Sequence, residues 1–194
     1  MKETGNQAFE LLTALSMTVG RGRPARAVAD IAALTPADRV VDIGCGPGTA
    51  VREAARRCAA ATGVDPSPLM LRLARWISSV RRSANVGWLA GRAEKLPVPD
   101  GEATVAWAVS SVHHWDDRAA GLRAAGRALA PAGRLVIAER LVQPGARGHG
   151  AHGLTSDQAG DLAREIAANG FREVRTGTQR VGHRQFVVVE GVKG

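Results

Sequence analysis

The chain has 194 residues, of which 45% are hydrophobic, and a formal net charge of +8 at pH 7. This hydrophobic content excludes an intrinsically disordered chain, and the length suits one domain with a buried core of its own. No apolar run reaches the roughly 18 residues that a transmembrane helix needs, so a membrane-spanning helix is not expected.

Charge and cysteine content narrow the class of protein further. Arginine supplies nearly all of the positive charge, since lysine occurs only at Lys2, Lys95 and Lys193. A basic chain can bind nucleic acid or an anionic membrane, but arginines spread along the sequence favour a solvated surface. The first residues contain no signal-peptide core, and Cys45 and Cys58 do not make a disulfide framework, so a cytoplasmic protein is expected.

Helical and strand patterns alternate along most of the chain. Apolar spacing predicts a helix over residues 6–19 and a second helix over 26–34, which ends before Pro36. The run 103–109 is almost continuously apolar, as in a strand that is buried on both faces. The remaining predicted strands are 39–43, 61–64, 86–90 and 134–141, and the remaining helices are 49–60, 66–80 and 118–129.

The C-terminal part ends in a predicted hairpin. Residues 143–153 are rich in Gly and His and are predicted to be a loop, and a helix follows over 155–169, with Gly170 placed to end it. Two strands, 171–181 and 184–192, flank a short turn. Five strand–helix units and a hairpin predict an α/β fold, a mainly parallel sheet with one antiparallel edge and helices on both faces.

A glycine-dense turn between the first predicted strand and the next helix is the most informative segment. The strand ends in Asp42-Ile43, and Gly44-Cys45-Gly46-Pro47-Gly48 follows at once. Glycines there let the backbone approach a ligand closely and adopt conformations closed to other residues. The start of the next helix presents unpaired N–H groups. These features predict a binding site for a nucleotide-like cofactor.

The spacing of this turn bears on which cofactor it holds. Dinucleotide-binding folds use G-x-G-x-x-G, whereas Gly44, Gly46 and Gly48 form G-x-G-x-G. The Asp42 carboxylate would repel a pyrophosphate and attract a cofactor that carries an ammonium group. The turn therefore disfavours a dinucleotide.

Asp65 is the second candidate binding residue. It ends the second predicted strand, 17 residues after Gly48. A carboxylate at this place can accept two hydrogen bonds from a ribose diol. The alternative is a helix N-cap, since Asp before Pro is common at a helix start.

Three further motifs complete a resemblance to a known family. They are Ala93-Glu94-Lys95-Leu96-Pro97 after the third strand, Ser110-Ser111-Val112-His113-His114-Trp115 after the fourth, and Leu129-Ala130-Pro131-Ala132-Gly133-Arg134-Leu135 before the fifth. With the glycine turn and Asp65, the chain over roughly residues 39–141 resembles class I S-adenosylmethionine-dependent methyltransferases. It is most similar to the small-molecule branch, methyltransferase type 11, which includes ubiquinone- and menaquinone-biosynthesis enzymes. Thr104 stands where the family usually has an aspartate, and Ala132 where a glycine is frequent.

The resemblance implies a Rossmann-like, doubly wound, seven-stranded sheet, with S-adenosyl-L-methionine as the cofactor and S-adenosyl-L-homocysteine as the product. It also implies which residues hold the cofactor, all of them after one of the first four strands. The implied residues are Asp42, Gly44, Cys45 and Gly46 at the methionine end, Asp65 at the ribose hydroxyls, Pro66, Ser67, Ala93 and Glu94 at the adenine, and the backbone at Ala108 and Val109 near the ammonium group.

Candidate catalytic residues follow the fourth and fifth strands. Methyl transfer to a hydroxyl or a protonated amine needs a general base, and His113 and His114 are candidates because histidine titrates near neutral pH. Packing or hydrogen bonding beside the cofactor is the alternative role. Glu139 is a further candidate, or a solvated acid. His149 and His152 lie in a Gly-rich loop without a third ligand nearby in sequence, so no metal site is predicted.

The acceptor site is predicted to be open. Trp115 is the aromatic residue expected to touch the acceptor, whereas Trp76, Trp88 and Trp107 are expected in the core. Many relatives insert a helical lid after the fifth strand, but here only residues 142–154 form that connection. The site is therefore expected to be open, completed by the N-terminal helix, or shared with a second subunit of a homodimer.

Residues 1–194 are predicted to form a single methyltransferase domain, with an N-terminal helical segment 1–36, a cofactor-binding core 39–141 and a C-terminal helix and hairpin 142–194. The predicted function is transfer of a methyl group from S-adenosylmethionine to a small-molecule or lipid-like acceptor by in-line displacement, to O, N, C or S. The alternatives are an RNA methyltransferase that uses a basic surface and a non-catalytic cofactor-binding sensor. An NAD oxidoreductase is a more distant alternative.

Overall fold

A computed structural model describes residues 22–146, 148 and 152–194. The strands are β1 Arg39–Ile43, β2 Ala60–Asp65, β3 Val86–Ala90, β4 Ala103–Val109, β5 Leu129–Arg140, β6 Phe171–Val181 and β7 Arg184–Lys193. The helices are α1 Gly22–Ile31, α2 Thr49–Ala54, α3 Pro68–Val80, α4 Arg118–Ala128 and α5 Ser156–Ala168, with a 3₁₀ turn at Val112–His114.

The seven strands form one sheet in the order β3-β2-β1-β4-β5-β7-β6. Strands β1 to β5 pair in parallel, and β7 pairs antiparallel with both β5 and β6. The predicted doubly wound sheet with an antiparallel C-terminal hairpin strand is thus confirmed. The antiparallel strand is β7, which lies between β5 and the edge strand β6. The strand order reverses between β1 and β4, and ligands of such folds bind beyond the carboxyl ends of the strands at this switch point.

Two apolar cores lie on opposite faces of the sheet. Alternate residues of β4 divide between them, since Val105 and Trp107 belong to one core and Ala106 and Ala108 to the other. Successive side chains of a strand point to opposite faces, so the two cores flank the sheet. The first core is covered by α1, α2 and part of α3, and the second by α4 and α5. The expectation of helices on both faces is confirmed.

Several element boundaries differ from the sequence prediction. Helix α1 begins at Gly22 instead of residue 26, because Pro24 is accommodated in its first turn, where no N–H partner is needed. Helix α2 ends at Ala54, well short of the predicted residue 60. Strand β5 begins at Leu129, five residues before the predicted start at residue 134. Its register against β4 shifts between Ala103 and Val105.

The tryptophans do not all lie where the sequence predicts. Trp107 is fully buried and Trp88 is partly buried against a core, as expected. Trp76 is 60% exposed, so its expected core position is wrong. Helix α3 buries Leu71, Leu73 and Ala74, and Trp76 lies outside this face, although its spacing fits an apolar stripe.

No helix of the described ranges is long and apolar enough to cross a membrane. The predicted helix 6–19 lies outside the described residues. The organisation of residues 1–194 as one domain with three parts stays a prediction.

Candidate functional site

The glycine turn lies at the switch point and is tied to the end of β2. The Asp42 position pairs with Gly63 of β2 and Trp107 of β4. The backbone N–H groups of Gly44 and Cys45 both donate to the carbonyl of Val64, at 2.8 and 3.0 Å. Because three strand ends meet here, the turn lies at the carboxyl edge of the sheet.

Two of the turn glycines are required by close packing and by backbone conformation. Gly44 has φ +75°, and a Cβ there would lie 2.6 Å from the Cβ of Ser111. Gly48 has φ +77°, and a Cβ there would lie 2.2 Å from the ring of Trp88. L-residues rarely adopt such φ values, so larger side chains would be strained as well as blocked.

Gly46 differs from these two because space above it is open. Its φ is +52°, and a Cβ placed there would meet no atom within 4 Å. Its N–H group donates to the Asp65 Oδ2 at 2.8 Å. A backbone without a side chain, beside a carboxylate and below open space, fits a ligand that carries hydroxyl or ammonium groups.

Asp65 is buried and held by backbone donors on both carboxylate oxygens. Its Oδ2 accepts from Gly46 N–H, and its Oδ1 accepts from Ser67 N–H at 2.9 Å. The N-cap of α3 is Ser67, whose Oγ accepts from Met70 N–H, so the helix-cap alternative does not describe Asp65. Pro66 is exposed beside it. The carboxylate therefore links the glycine turn to the start of α3.

Cys45 lies between two acidic side chains and is buried. Burial, followed by the Asp42 and Asp65 carboxylates, strongly raises the pKa of the Cys45 thiol. The thiol therefore stays protonated at neutral pH and is a poor nucleophile. Asp42 is itself buried, at 2% exposure.

The segment after β3 braces the loop after β4. Ala93 is buried, and the Oε1 of Glu94 accepts from the backbone N–H groups of Asp116 and Asp117, at 2.9 and 3.3 Å. Glu94 thus uses one carboxylate oxygen to hold this loop.

The end of β4 carries two serines that the sequence analysis placed in a motif but gave no role. Ser110 has φ +54°, which is uncommon for a residue with a side chain. Ser111 is buried, and its Oγ donates to the carbonyl of Ile43 at 2.5 Å. Ala108 is fully buried and Val109 half-buried just before them. Ser111 thus joins the end of β4 to the end of β1, and Ser110 N–H donates to the Ala138 carbonyl of β5 at 2.8 Å. Two polar residues directly after an apolar strand were the signal in the sequence.

Glu139 and His113 form a pair that sequence spacing could not show. Glu139 is 1% exposed, so the alternative of a solvated acid is wrong. Its Oε2 lies 2.9 Å from the His113 Nδ1, and its Oε1 accepts from Val112 N–H at 2.8 Å. The carboxylate can therefore set the orientation of the His113 ring. His114, next in the chain, is exposed.

The loop after β5 brings a third histidine to this place. His152 lies with its ring centroid 5.6 Å from that of His113 and 5.8 Å from that of His114. His149 lies outside the described residues. Trp115, expected at the acceptor, is partly buried and packs against Gly121 of α4, where a Cβ would lie 2.4 Å from its ring.

The comparisons with known protein families and relatives agree on one class. The family described as "Methyltransferase domain" matches residues 41–137. The chain is 35% identical to a demethylmenaquinone methyltransferase of Tropheryma whipplei (strain Twist), over 59% of this chain and 46% of that protein. It is 35% identical to the 27-O-demethylrifamycin SV methyltransferase of Amycolatopsis mediterranei (strain S699), over 59% of this chain and 43% of that protein. The chain thus spans less than half the length of these curated relatives.

Similarity to solved structures extends over nearly the whole chain. An S-adenosylmethionine-dependent methyltransferase from Aquifex aeolicus superposes with a TM-score of 0.73 at 17% identity, over 91% of this chain and 94% of that one. At this identity the likeness concerns the fold alone.

Proposed function

The chain belongs to the methyltransferase domain family, within the class I S-adenosylmethionine-dependent enzymes of the small-molecule type, and from this premise we propose that it transfers a methyl group from S-adenosylmethionine to a small-molecule or lipid-like acceptor. The observation that carries the proposal is the turn at Gly46, which is open above and bordered by the Asp65 carboxylate.

The residues of the turn fit the two polar ends of this cofactor. S-Adenosylmethionine, when bound, supplies an electrophilic methyl group on its sulfonium. Asp42 would attract the ammonium group, and Asp65 would accept the ribose hydroxyls. Each Asp65 oxygen already accepts one backbone N–H. Because a carboxylate has about four lone-pair sites, acceptor capacity for a diol is left.

The remaining cofactor contacts that we propose lie at the same edge of the sheet. On β4, Trp107 pairs with Asp42, and Val109 lies two residues further along the strand towards the carboxyl edge of the sheet. The ammonium group would bind at the Val109 backbone. Gly44 and Cys45 would line the methionine end. The other proposed contacts lie at the adenine and beside the ammonium group: Pro66, Ser67, Ala93, Glu94 and Ala108.

We place the acceptor beside the end of β4, with His113 as the residue that takes its proton where it has one to lose. Glu139 holds the Nδ1 side of this ring, so the Nε2 is the atom left for a proton. A carboxylate behind an imidazole fixes its orientation and stabilises the imidazolium that forms. His114, which is exposed on the same 3₁₀ turn, is the second candidate. The curated relatives are named as methyltransferases of demethylmenaquinone and of 27-O-demethylrifamycin SV, which supports a small organic acceptor for this chain.

Cofactor binding can be tested by thermal unfolding with S-adenosylhomocysteine. A ligand at about 100 times its Kd stabilises the native state by about 2.7 kcal/mol, which for a chain of this size raises the Tm by roughly 5–10 °C. We expect this rise with S-adenosylhomocysteine and none with NADH. Failure of S-adenosylhomocysteine to raise the Tm of the wild-type protein would contradict the proposal.

Substitutions at Asp65 locate the site. Asp65→Ala is expected to abolish most of the Tm rise, and Asp65→Asn, which keeps an oxygen for Gly46 N–H, to weaken it. Asp161→Asn, an exposed carboxylate on α5, is the matched control and should leave the rise unchanged. Circular dichroism checks that each variant is folded. A full Tm rise in folded Asp65→Ala would exclude Asp65 from the cofactor site.

A further inference from the structure

Three histidines converge at the carboxyl edge of the sheet. His113 and His114 come from the 3₁₀ turn after β4, with ring centroids 3.9 Å apart, and His152 comes from the loop between β5 and α5. One nitrogen of each ring lies within 4.8 Å of one nitrogen of each of the other two. Imidazole nitrogens grouped in this way are the ligand set of zinc and related ions.

The position of His152 is fixed by the residues after it. Leu154 N–H donates to the Arg140 carbonyl at 3.0 Å, and Val142 N–H donates to the Leu154 carbonyl at 2.9 Å. Gly153 has φ +146° and lies so close to Arg140 that a Cβ would be 2.1 Å from the carbonyl oxygen. These contacts hold the residues next to His152 against the end of β5. The short distance between His152 and His113 is therefore a consequence of the fold.

His113 supplies a second, independent indication of a bound ligand. Its Nε2 is buried and has no hydrogen-bond partner within the described structure, whereas its Nδ1 faces the Glu139 Oε2. A buried polar atom without a partner costs free energy. A histidine that binds a metal through one nitrogen usually directs the other to a carboxylate or a carbonyl, which fixes the ring. The His113–Glu139 pair has this arrangement.

We propose that His113, His114 and His152 bind one divalent transition-metal ion, with zinc as the expected ion. Three imidazoles leave a fourth tetrahedral position open, as in catalytic zinc sites. Zinc–nitrogen bonds of about 2.0–2.1 Å hold tetrahedral ligands roughly 3.4 Å apart. The nitrogens of the three histidines must therefore come closer to one another by small rotations of the rings. The side chains of His114 and His152 are exposed.

Occupation by metal changes what His113 does. The Nε2 binds either an ion or a proton, so His113 is a proton acceptor only in the metal-free protein. With metal bound, an acceptor hydroxyl in the fourth position would be acidified by the ion itself. Metal binding is independent of the proposed methyl transfer, because it is measured with neither cofactor nor acceptor present.

The test is titration of untagged, chelator-treated protein with zinc chloride by isothermal calorimetry, and with Co²⁺ by visible absorption. We expect one ion per chain and the intense absorption bands of tetrahedral Co²⁺. His152→Ala should weaken zinc binding by more than about 100-fold, beyond the 10–100-fold expected for Glu139→Gln, which removes the charge behind His113. His183→Ala, an exposed histidine of the β6–β7 turn, is the matched control and should bind as the wild type does.

Two results would overturn the proposal. One is a wild-type protein that binds no zinc, and the other is equal zinc affinity in wild type and His152→Ala, which would mean ordinary surface binding. His152 lies outside the proposed cofactor contacts, and His152→Ala should still show the Tm rise with S-adenosylhomocysteine. A failed metal site is thereby distinguished from a failed methyltransferase proposal.

Discussion

At the scale of single residues, buried polar side chains define the site. Glu139 contacts both Val112 N–H and the His113 ring, and Ser111 bridges from β4 to the Ile43 carbonyl of β1. Buried polar groups are costly unless they are hydrogen-bonded, and each of these contacts joins two different strand ends. His113, which we place at the acceptor, is therefore oriented by a residue of the neighbouring strand β5. Its neighbour His114 is exposed on the 3₁₀ turn.

His113→Gln is expected to lower kcat for methyl transfer by about 10²–10⁴-fold, the usual contribution of a positioned general base. The reduced, hydroquinone form of a demethylated menaquinone analogue is the acceptor to use, and release of S-adenosylhomocysteine is the measurement. EDTA in the assay removes any contribution of bound metal. Cofactor affinity should be unchanged, because His113 is not among the proposed cofactor contacts.

His114→Gln is the matched control and should reduce kcat much less than His113→Gln. Glu139→Gln should give an intermediate loss, since an amide can still orient the ring but stabilises its cation less. If His113→Gln retained the wild-type kcat, the proposed role of His113 would be wrong.

At the scale of elements, the start of β5 shows how a family departure is accommodated. Ala132 stands where the resembling family has a glycine, and its φ is +58°. The residue is exposed, in the part of β5 that precedes the regular pairing of Arg134 with Val105. An alanine in the left-handed region costs roughly 1–2 kcal/mol relative to its ordinary conformations. The family glycine therefore reflects backbone conformation at the bulge and no chemistry of the site.

Ala132→Gly is expected to stabilise the protein by about 0.5–1 kcal/mol, because relief of the positive φ exceeds the entropy that glycine loses on folding. Urea unfolding measures the change. The matched control is Ala167→Gly, on an exposed position of α5, where glycine should destabilise by up to about 1 kcal/mol. A destabilised Ala132→Gly variant would show that the strain is compensated elsewhere.

At the scale of the whole molecule, the arginine-rich surface is partly neutralised by local ion pairs. Nine arginines of the described ranges lie within ion-pair distance of a carboxylate; they are Arg26, Arg39, Arg56, Arg57, Arg92, Arg118, Arg127, Arg134 and Arg164. Most of these pairs are exposed and contribute little to stability. They favour a solvated surface over a continuous basic face for RNA.

The ion pair of Asp38 with Arg134 differs from the exposed pairs because its carboxylate is buried, as that of Glu53 is. Asp38, between α1 and β1, accepts hydrogen bonds from Thr35 and from Thr104 of β4, and lies 2.8 Å from the Arg134 guanidinium of β5. Burial raises the pKa of Asp38, but the bonds from Thr104, Thr35 and Arg134 outweigh it and hold the pKa below its usual value. Thr104, the family's usual aspartate position, is thus used to join β1 and β4 at the amino edge of the sheet.

Asp38→Asn is expected to destabilise the protein at neutral pH by about 1–3 kcal/mol, the cost of leaving charged partners unsatisfied. Because the folded pKa of Asp38 is depressed, its ionised form stabilises the native state above the unfolded pKa of about 4 and loses this effect as pH falls through the folded pKa. The difference between wild type and variant should therefore shrink below about pH 4. Urea unfolding across pH measures it.

Asp161→Asn, at an exposed ion pair with Arg164, is the control for Asp38→Asn and should change stability by less than about 1 kcal/mol at any of these pH values. A difference between wild type and Asp38→Asn that stayed constant down to low pH would contradict the role given to the Asp38 charge.

The sequence by itself determined the features that depend on neighbours along the chain. β1, β3, β4 and β6 have the predicted bounds, and the glycine turn lies where the spacing placed it. Strand alternation, turn glycines and capping residues act over a few positions, so a linear pattern is enough to predict them. The parallel sheet followed from the same alternation, because each strand–helix unit returns the chain to the same edge.

Only the tertiary structure decided which distant side chains meet. His113 and Glu139 are 26 positions apart and join because β4 and β5 are adjacent in the sheet. His152 reaches the same edge because Leu154 is bonded to the end of β5. Trp76 is exposed although its spacing matches an apolar face, since the neighbours that would cover a helix are not encoded in its own periodicity. Burial and long-range contact depend on how elements pack, and packing is a property of the whole chain.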